Sequence, residues 1–396
     1  MQKTEAMKPA AISLLCLGTL ACSSSASRVT SSPDAGLDHD ATGIAPHDAG
    51  ARDAEAKRDV ATIEAPQPVD PRAPDAAPSV PGLDASPAAW TWVDVPGAKC
   101  ADGSATGFAI NPAPSPSNDT LIFLEGGGAC WDGTTCWGPV STGFYVQTGY
   151  DELAFQTDPQ VAAIYLLDRA NTNNPFVGKN IVYVPYCTGD VFAGNRETSL
   201  DYLGVSHDTH FVGYENVSLF LDYVNSTFPS TNRVWLAGDS AGGFGAALNF
   251  EHVQAAMPNA RVDVIDDSGQ PIEPAAGLWS TWTTAWNVQF PPGCTGCDTS
   301  VGAFADYYRM KYPSHRFGLI SYQYDTVISP FMEISVTQFN TELYALAAHM
   351  DATWPNGHYF IVPGASHVGL LVPSAALMTW VNELVNDDAS WASSKP

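Results

Sequence analysis

The stretch Arg233-Val-Trp-Leu-Ala-Gly-Asp-Ser-Ala-Gly-Gly243 constrains this chain more than any other. A short apolar run feeds a G-x-S-x-G turn at Gly238, Ser240 and Gly242, and the helix-like segment Phe244 to Met257 follows. A strand, a sharp turn with serine at its apex and then a helix form the context in which a hydroxyl is exposed as a nucleophile. The glycines matter because the serine backbone is strained there and its neighbours pass close together. The competing reading is a glycine-rich turn with an incidental serine, and the flanking strand and helix argue against it.

The chain ahead of this region does not read as fold. Lys3 and Lys8 precede an apolar run from Ala10 to Ala21 that is too short for a permanent membrane span. Residues 1–22 therefore read as an export signal. Cys22, after Gly18-Thr-Leu-Ala21, offers a lipid-anchor site, with simple cleavage near Ala26 as the alternative. Residues 23–89 are rich in Ala, Asp, Pro and Ser and nearly free of aromatics, so they cannot bury enough apolar surface to order themselves. They read as an acidic spacer, and the chain as secreted or held at the outer cell surface. From Trp90 to Trp391 aromatics, glycines and periodic apolar runs appear, roughly 300 residues and ample for one domain.

The net charge of −25, from 42 acidic and 17 basic residues, excludes a nucleic-acid partner, which needs a basic face. It equally argues against adsorption to anionic lipid, and solubility as a monomer is its simplest consequence. Six cysteines follow the leader: Cys100, Cys130, Cys136, Cys187, Cys294 and Cys297. In an exported chain they imply three disulfides whose pairing sequence leaves open; Cys130 with Cys136 and Cys294 with Cys297 would close local loops, leaving Cys100 with Cys187. Zinc on the close pairs is the lesser alternative, so no metal is expected.

Strand-like runs at Thr120–Leu124, Asn180–Pro185, Val234–Ala237, Val262–Ile265, Phe317–Tyr322 and Tyr359–Val362 alternate with helix-like ones. The latter are Pro159–Ala170, Glu215–Asn225, Phe244–Met257, Val301–Met310, Met332–Met350 and Ala375–Val385. Such alternation predicts an α/β fold, a mostly parallel sheet with helices on both faces. Gly277–Asp298, rich in tryptophan, Pro and Gly, reads as an insertion. Sites in such sheets lie beyond the carboxyl ends of the strands. His367 and Asp325 both follow strands, and the order Ser240, Asp325, His367 is the one α/β-hydrolases use. Asp266 and Asp267 are the second choice of acid, one strand earlier. Leu121-Ile-Phe-Leu-Glu-Gly-Gly-Gly128 supplies a strand ending in glycines whose N–H groups, with that of Ala241, can hold an oxyanion.

Four separated motifs then carry a resemblance: Leu124-Glu-Gly-Gly-Gly-Ala-Cys-Trp131, Tyr183-Val-Pro-Tyr-Cys-Thr-Gly-Asp190, Gly238-Asp-Ser-Ala-Gly-Gly243 and Asp266-Asp-Ser-Gly269. Together they resemble the pectin acetylesterase family. The resemblance implies an α/β-hydrolase-like fold and ester hydrolysis by Ser240, Asp325 and His367, with Gly127, Gly128 and Ala241 as oxyanion donors. Plant members carry Cys-Ser-Ala-Gly at the elbow, where this chain has Asp239-Ser-Ala-Gly. The expected protein is a serine carboxylesterase needing no cofactor, acting on acyl esters, acetyl first, possibly on polysaccharide. Trp131 is a candidate substrate contact; Trp137, Tyr186 and the Trp279–Trp286 cluster are either a substrate wall or core. The alternatives are an esterase for longer acyl chains and a non-catalytic surface binding protein on a hydrolase scaffold.

Overall fold

A computed structural model describes residues 80–139 and 141–396. The export signal, Cys22 and all of the acidic spacer before residue 80 lie outside the described residues. Ten strands form among them, numbered in chain order: β1 (Thr91–Lys99), β2 (Ala105–Asn111), β3 (Asp119–Leu124), β4 (Asn180–Val184), β5 (Arg196–Tyr202), β6 (Val205–Phe211), β7 (Arg233–Asp239), β8 (Arg261–Asp267), β9 (Phe317–Asp325) and β10 (Gly357–Ser366).

Eight of them make one sheet in the order β1-β2-β4-β3-β7-β8-β9-β10, and β5 with β6 forms a separate hairpin. From β4 to β10 every neighbouring pair is parallel, while β1, β2 and β4 pair antiparallel. The six strands read from the sequence are the six parallel ones. Their apolar residues alternate between two cores because side chains on a strand point to opposite faces. On β7, Val234 and Leu236 join one buried cluster, and Trp235 and Ala237 the other. Helices cover both faces, Gly213–Thr227 and Ala241–Ala256 on the first and Ala375–Val385 on the second.

The helix expected over Pro159–Ala170 stops at Ala163. Ile164, Tyr165, Leu166 and Leu167 are all buried, and four consecutive inward residues do not suit one helix face. Asn174 Nδ2 instead caps the carbonyls of Leu166 and Asp168 at 2.9 Å each. The long helix begins at Val336 rather than Met332, because Ser335 caps it through its hydroxyl and a short turn, Ile328–Phe331, precedes it. Within the Gly277–Asp298 insertion, Leu278–Trp286 forms a helix. Contacts to the body begin ahead of Trp90, where Leu83 N donates to Thr227 Oγ1 at 3.1 Å.

The cysteines pair as Cys100–Cys187, Cys130–Cys136 and Cys294–Cys297. The first spans 87 residues and ties the β1–β2 turn to the segment after β4. Removing it by Cys100→Ser with Cys187→Ser should lower unfolding free energy by roughly 4 kcal/mol, the loop-entropy value for that span. Denaturant melts check this, and a loss below about 1 kcal/mol would contradict it.

Candidate active site

β7 ends at Asp239 and the helix Ala241–Ala256 starts two residues later, which isolates Ser240 between them. Its φ of 53° and ψ of −119° lie in a region that is strained for any residue with a Cβ. The strain is held in place by close packing. A Cβ on Gly238 would come within 2.1 Å of Gly242 O, and one on Gly242 within 2.0 Å of Leu124 O. Ser240 N donates to Asp267 O at 2.7 Å, which locks the turn to β8.

Asp325 is the last residue of β9, and His367 immediately follows β10, whose Ser366 lies opposite Asp325 in the parallel register. His367 Nδ1 sits 2.8 Å from Asp325 Oδ2. The other oxygen, Oδ1, accepts from Val327 N at 2.9 Å and Ile328 N at 2.8 Å, so this fully buried carboxylate is oriented from both sides. A carboxylate on Nδ1 places the ring hydrogen there and leaves Nε2 as the acceptor. Asp267 plays a different part. Its oxygens take Gly369 N at 3.1 Å and Leu370 N at 2.7 Å, pinning the loop just after His367. Asp266 Oδ1 holds Gly269 N at 2.7 Å. Among the described residues no hydrogen bond joins Ser240 Oγ to the imidazole.

Burial lifts the carboxyls beneath the site: Asp266 to about 8, Asp267 to about 6 and Asp239 to about 7, with the charge of Asp267 adding to the rise at Asp239 and Asp266. For His367 burial works the other way and favours the neutral ring. The hydrogen bond and charge of Asp325, with the charges of Asp267 and Asp239, outweigh it and leave the pKa above the ordinary 6.5.

The glycine turn lies directly on the elbow. Gly126 N donates to Asp239 Oδ1 at 3.2 Å, and a Cβ on Gly126 would come within 3.1 Å of Ser240 Cβ. Gly128 has φ of +77°, and a Cβ there would come within 2.0 Å of Thr142 O, so only glycine fits. Phe144 N and Ala129 N bond across the turn to Gly127 O and Thr142 O. The N–H groups of Gly127 and Gly128 themselves meet no acceptor among the described residues. Gly128, Ser240 and Ala241 line one narrow slot with Val191, Phe244, Trp279, Trp282, Trp286, Ile328, Phe331 and Met332, enclosing a cavity of about 30 Å³.

The tryptophans of the Leu278–Trp286 helix are thus both buried core and slot wall. Trp131 does not line the slot; it packs behind, its ring 5.5 Å from Trp282. Trp137 stacks on His207 at 4.6 Å, away from the slot lining. Tyr186 is fully buried against the glycine turn, where a Cβ on Gly127 would meet its ring at 2.5 Å. A serine–histidine hydrogen bond does form elsewhere, Ser218 Oγ to His252 Nε2 at 2.9 Å, between two helices. Ser218 is mid-helix and already donates to Tyr214 O, so it lacks the strained strand-to-helix turn and the neighbouring glycine N–H groups of the elbow. Sequence reasoning missed Val191 and the short Ile328–Met332 segment, which lie far apart in the chain and share no local pattern.

Residues 87–276 match the family described as pectinacetylesterase. This chain carries a pectinacetylesterase-family domain. The match takes in the glycine turn and the Ser240 elbow and ends before Asp325 and His367. The palmitoleoyl-protein carboxylesterase NOTUM of Schmidtea mediterranea is 29% identical over 159 residues, 39% of this chain and 28% of that protein. Pectin acetylesterase 11 of Arabidopsis thaliana is 29% identical over 176 residues, covering 44% and 42%. The chain thus spans less than half the length of either relative. In three dimensions this chain is similar to the Wnt deacylase Notum from Drosophila, with a TM-score of 0.51 and 21% identity over 73% of this chain and 86% of that one. The fold is α/β-hydrolase-like.

The His367 titration gives a direct test of the site's electrostatics. NMR of the imidazole should show a midpoint above 6.5, and Asp325→Asn should move it downward as burial comes to dominate. An unchanged midpoint in that variant would contradict the arrangement.

Proposed function

We propose that this domain is a serine carboxylesterase that removes short acyl groups, acetyl first, through an acyl-enzyme on Ser240. The observation that carries the reading is the shared slot: the Ser240 elbow, Ala241 and Gly128 face one apolar cavity. The Asp325–His367 hydrogen bond, at the carboxyl end of the same parallel sheet, supports the reading.

Ester hydrolysis then follows from the residue types. Neutral His367 takes the Ser240 proton at Nε2 as the hydroxyl attacks the carbonyl carbon. Asp325 stabilises the imidazolium and fixes its tautomer. The N–H groups of Gly127, Gly128 and Ala241 receive the developing oxyanion, each worth roughly 3 kcal/mol. The imidazolium protonates the departing alcohol, and water, deprotonated by His367, releases the acid. Neither a metal nor an organic cofactor enters these steps.

The acyl group would occupy the slot. A cavity of about 30 Å³ admits about two water-sized groups, which suits acetyl. Its lining of three tryptophans, two phenylalanines and a methionine favours a longer acyl chain as the second reading, if the walls part. The alcohol half is read as polysaccharide from the pectin acetylesterase relative. Three disulfides support an oxidising, extracytoplasmic location, with Cys22 as a lipid-anchor site and a monomer as the working unit.

Ser240→Ala should lower kcat on p-nitrophenyl acetate by roughly a millionfold, with an unchanged melting temperature. Wild-type kcat/KM should fall from acetate through butyrate to octanoate. Near-normal turnover by the variant would rule out the mechanism; a rise with chain length would favour the second reading.

A further inference from the structure

The segment Tyr183-Val-Pro-Tyr-Cys-Thr-Gly-Asp190 has no part in the proton transfers, yet it ends in a fully buried carboxylate. Asp190 Oδ1 accepts from Thr188 Oγ1 at 2.6 Å and Phe192 N at 3.1 Å; Oδ2 accepts from Gly213 N at 2.8 Å. Space for it is left by missing side chains, since a Cβ on Gly194 or Gly213 would come within 2.3 Å or 2.4 Å of its oxygens. The two residues after it are both left-handed, Val191 at φ 49° and Phe192 at φ 60°.

A β-branched residue at positive φ is a genuine outlier, and two such residues in succession persist only where their surroundings over-determine them. Those surroundings are explicit. Asp190 Oδ1 holds Phe192 N, Tyr186 Oη accepts from Val191 N at 2.9 Å, and Phe192 O accepts from Asn249 Nδ2 at 2.9 Å. The two side chains then diverge. Phe192 packs on Tyr186 at 4.9 Å and against the catalytic helix, where a Cβ on Gly245 would meet its ring at 2.6 Å. Val191 lines the slot beside Ser240. Glycine would make this backbone turn without strain, but it would leave the wall open.

We propose that Asp190 is a positioning residue that holds the left-handed pair, and that Val191, so held, closes the slot and sets the acyl length accepted. The inference rests on the reading of the slot as the acyl site. It gives the Tyr183–Asp190 segment a role in substrate selection that the triad chemistry does not require.

The test compares p-nitrophenyl acetate, butyrate and octanoate as substrates of the purified full chain. Val191→Gly removes both the strain and the wall, and should raise the octanoate-to-acetate ratio of kcat/KM by at least about tenfold, the value of a methylene or more of pocket. Asp190→Asn turns a donor toward Gly213 N and should lower acetate kcat/KM by about a hundredfold through misplacement of the slot. Adding Val191→Gly to Asp190→Asn should recover most of that loss, because a glycine turn no longer needs holding. An unchanged chain-length ratio in folded Val191→Gly overturns the proposal, even if Asp190→Asn fails to fold. A double variant that folds but stays as poor as Asp190→Asn overturns the positioning role. Should wild-type turnover survive Ser240→Ala, the acyl-site reading itself fails, which is a separate result.

Discussion

The close backbone crossing at the elbow is the constraint on which the rest depends. Gly238 passes against Gly242 O, Gly242 against Leu124 O, and Gly243 against Asp266 Oδ1. β3 and β7 therefore meet the start of one helix with no side chain between them, and β8 approaches it through the Asp266 carboxyl and the Asp267 carbonyl. This approach puts Ser240 at a positive φ, a cost of about 1–3 kcal/mol that the surrounding sheet holds in place. It also brings the glycine turn after β3 onto the serine. The proposed nucleophile and the proposed oxyanion donors are thus brought together by one packing event rather than two.

Buried carboxyl groups do most of the remaining positioning. Asp239 holds Gly126, Asp267 holds Gly369 and Leu370, Asp266 holds Gly269, and Asp190 holds Phe192 and Gly213. Each is removed from water and compensated by backbone N–H groups, the arrangement a buried acceptor requires. Asp325 differs in that one oxygen takes two backbone N–H groups while the other makes its bond to an imidazole. That bond, more than position along the chain, separates it from Asp267 as partner of His367. Asp239, which replaces the cysteine of plant members at the elbow, belongs with the backbone clamps through its bond to Gly126.

Much of this was legible from sequence, for identifiable reasons. The six parallel strands are buried on both faces, so they appear as plain apolar runs, and the strand–turn–helix at Ser240 carries its own glycines. β1 was hidden because Pro96 and Gly97 interrupt it; it is an edge strand whose pairing shifts register there, where proline is tolerated. The β5–β6 hairpin was hidden by its polar, exposed residues and by Leu203, which takes the left-handed position where Asn or Asp would have signalled the turn. The slot walls were illegible for a different reason. Val191, Trp282 and Phe331 lie in three segments, and only the sheet brings them together.

The central claim is that one hydroxyl, Ser240, is the activated nucleophile. Treating the purified protein with a fluorophosphonate and mapping the adduct by peptide mass spectrometry tests it most directly. The account predicts stoichiometric modification on the peptide containing Ser240 and none on that containing Ser218. An unmodified Ser240, or an adduct on another serine, would contradict it.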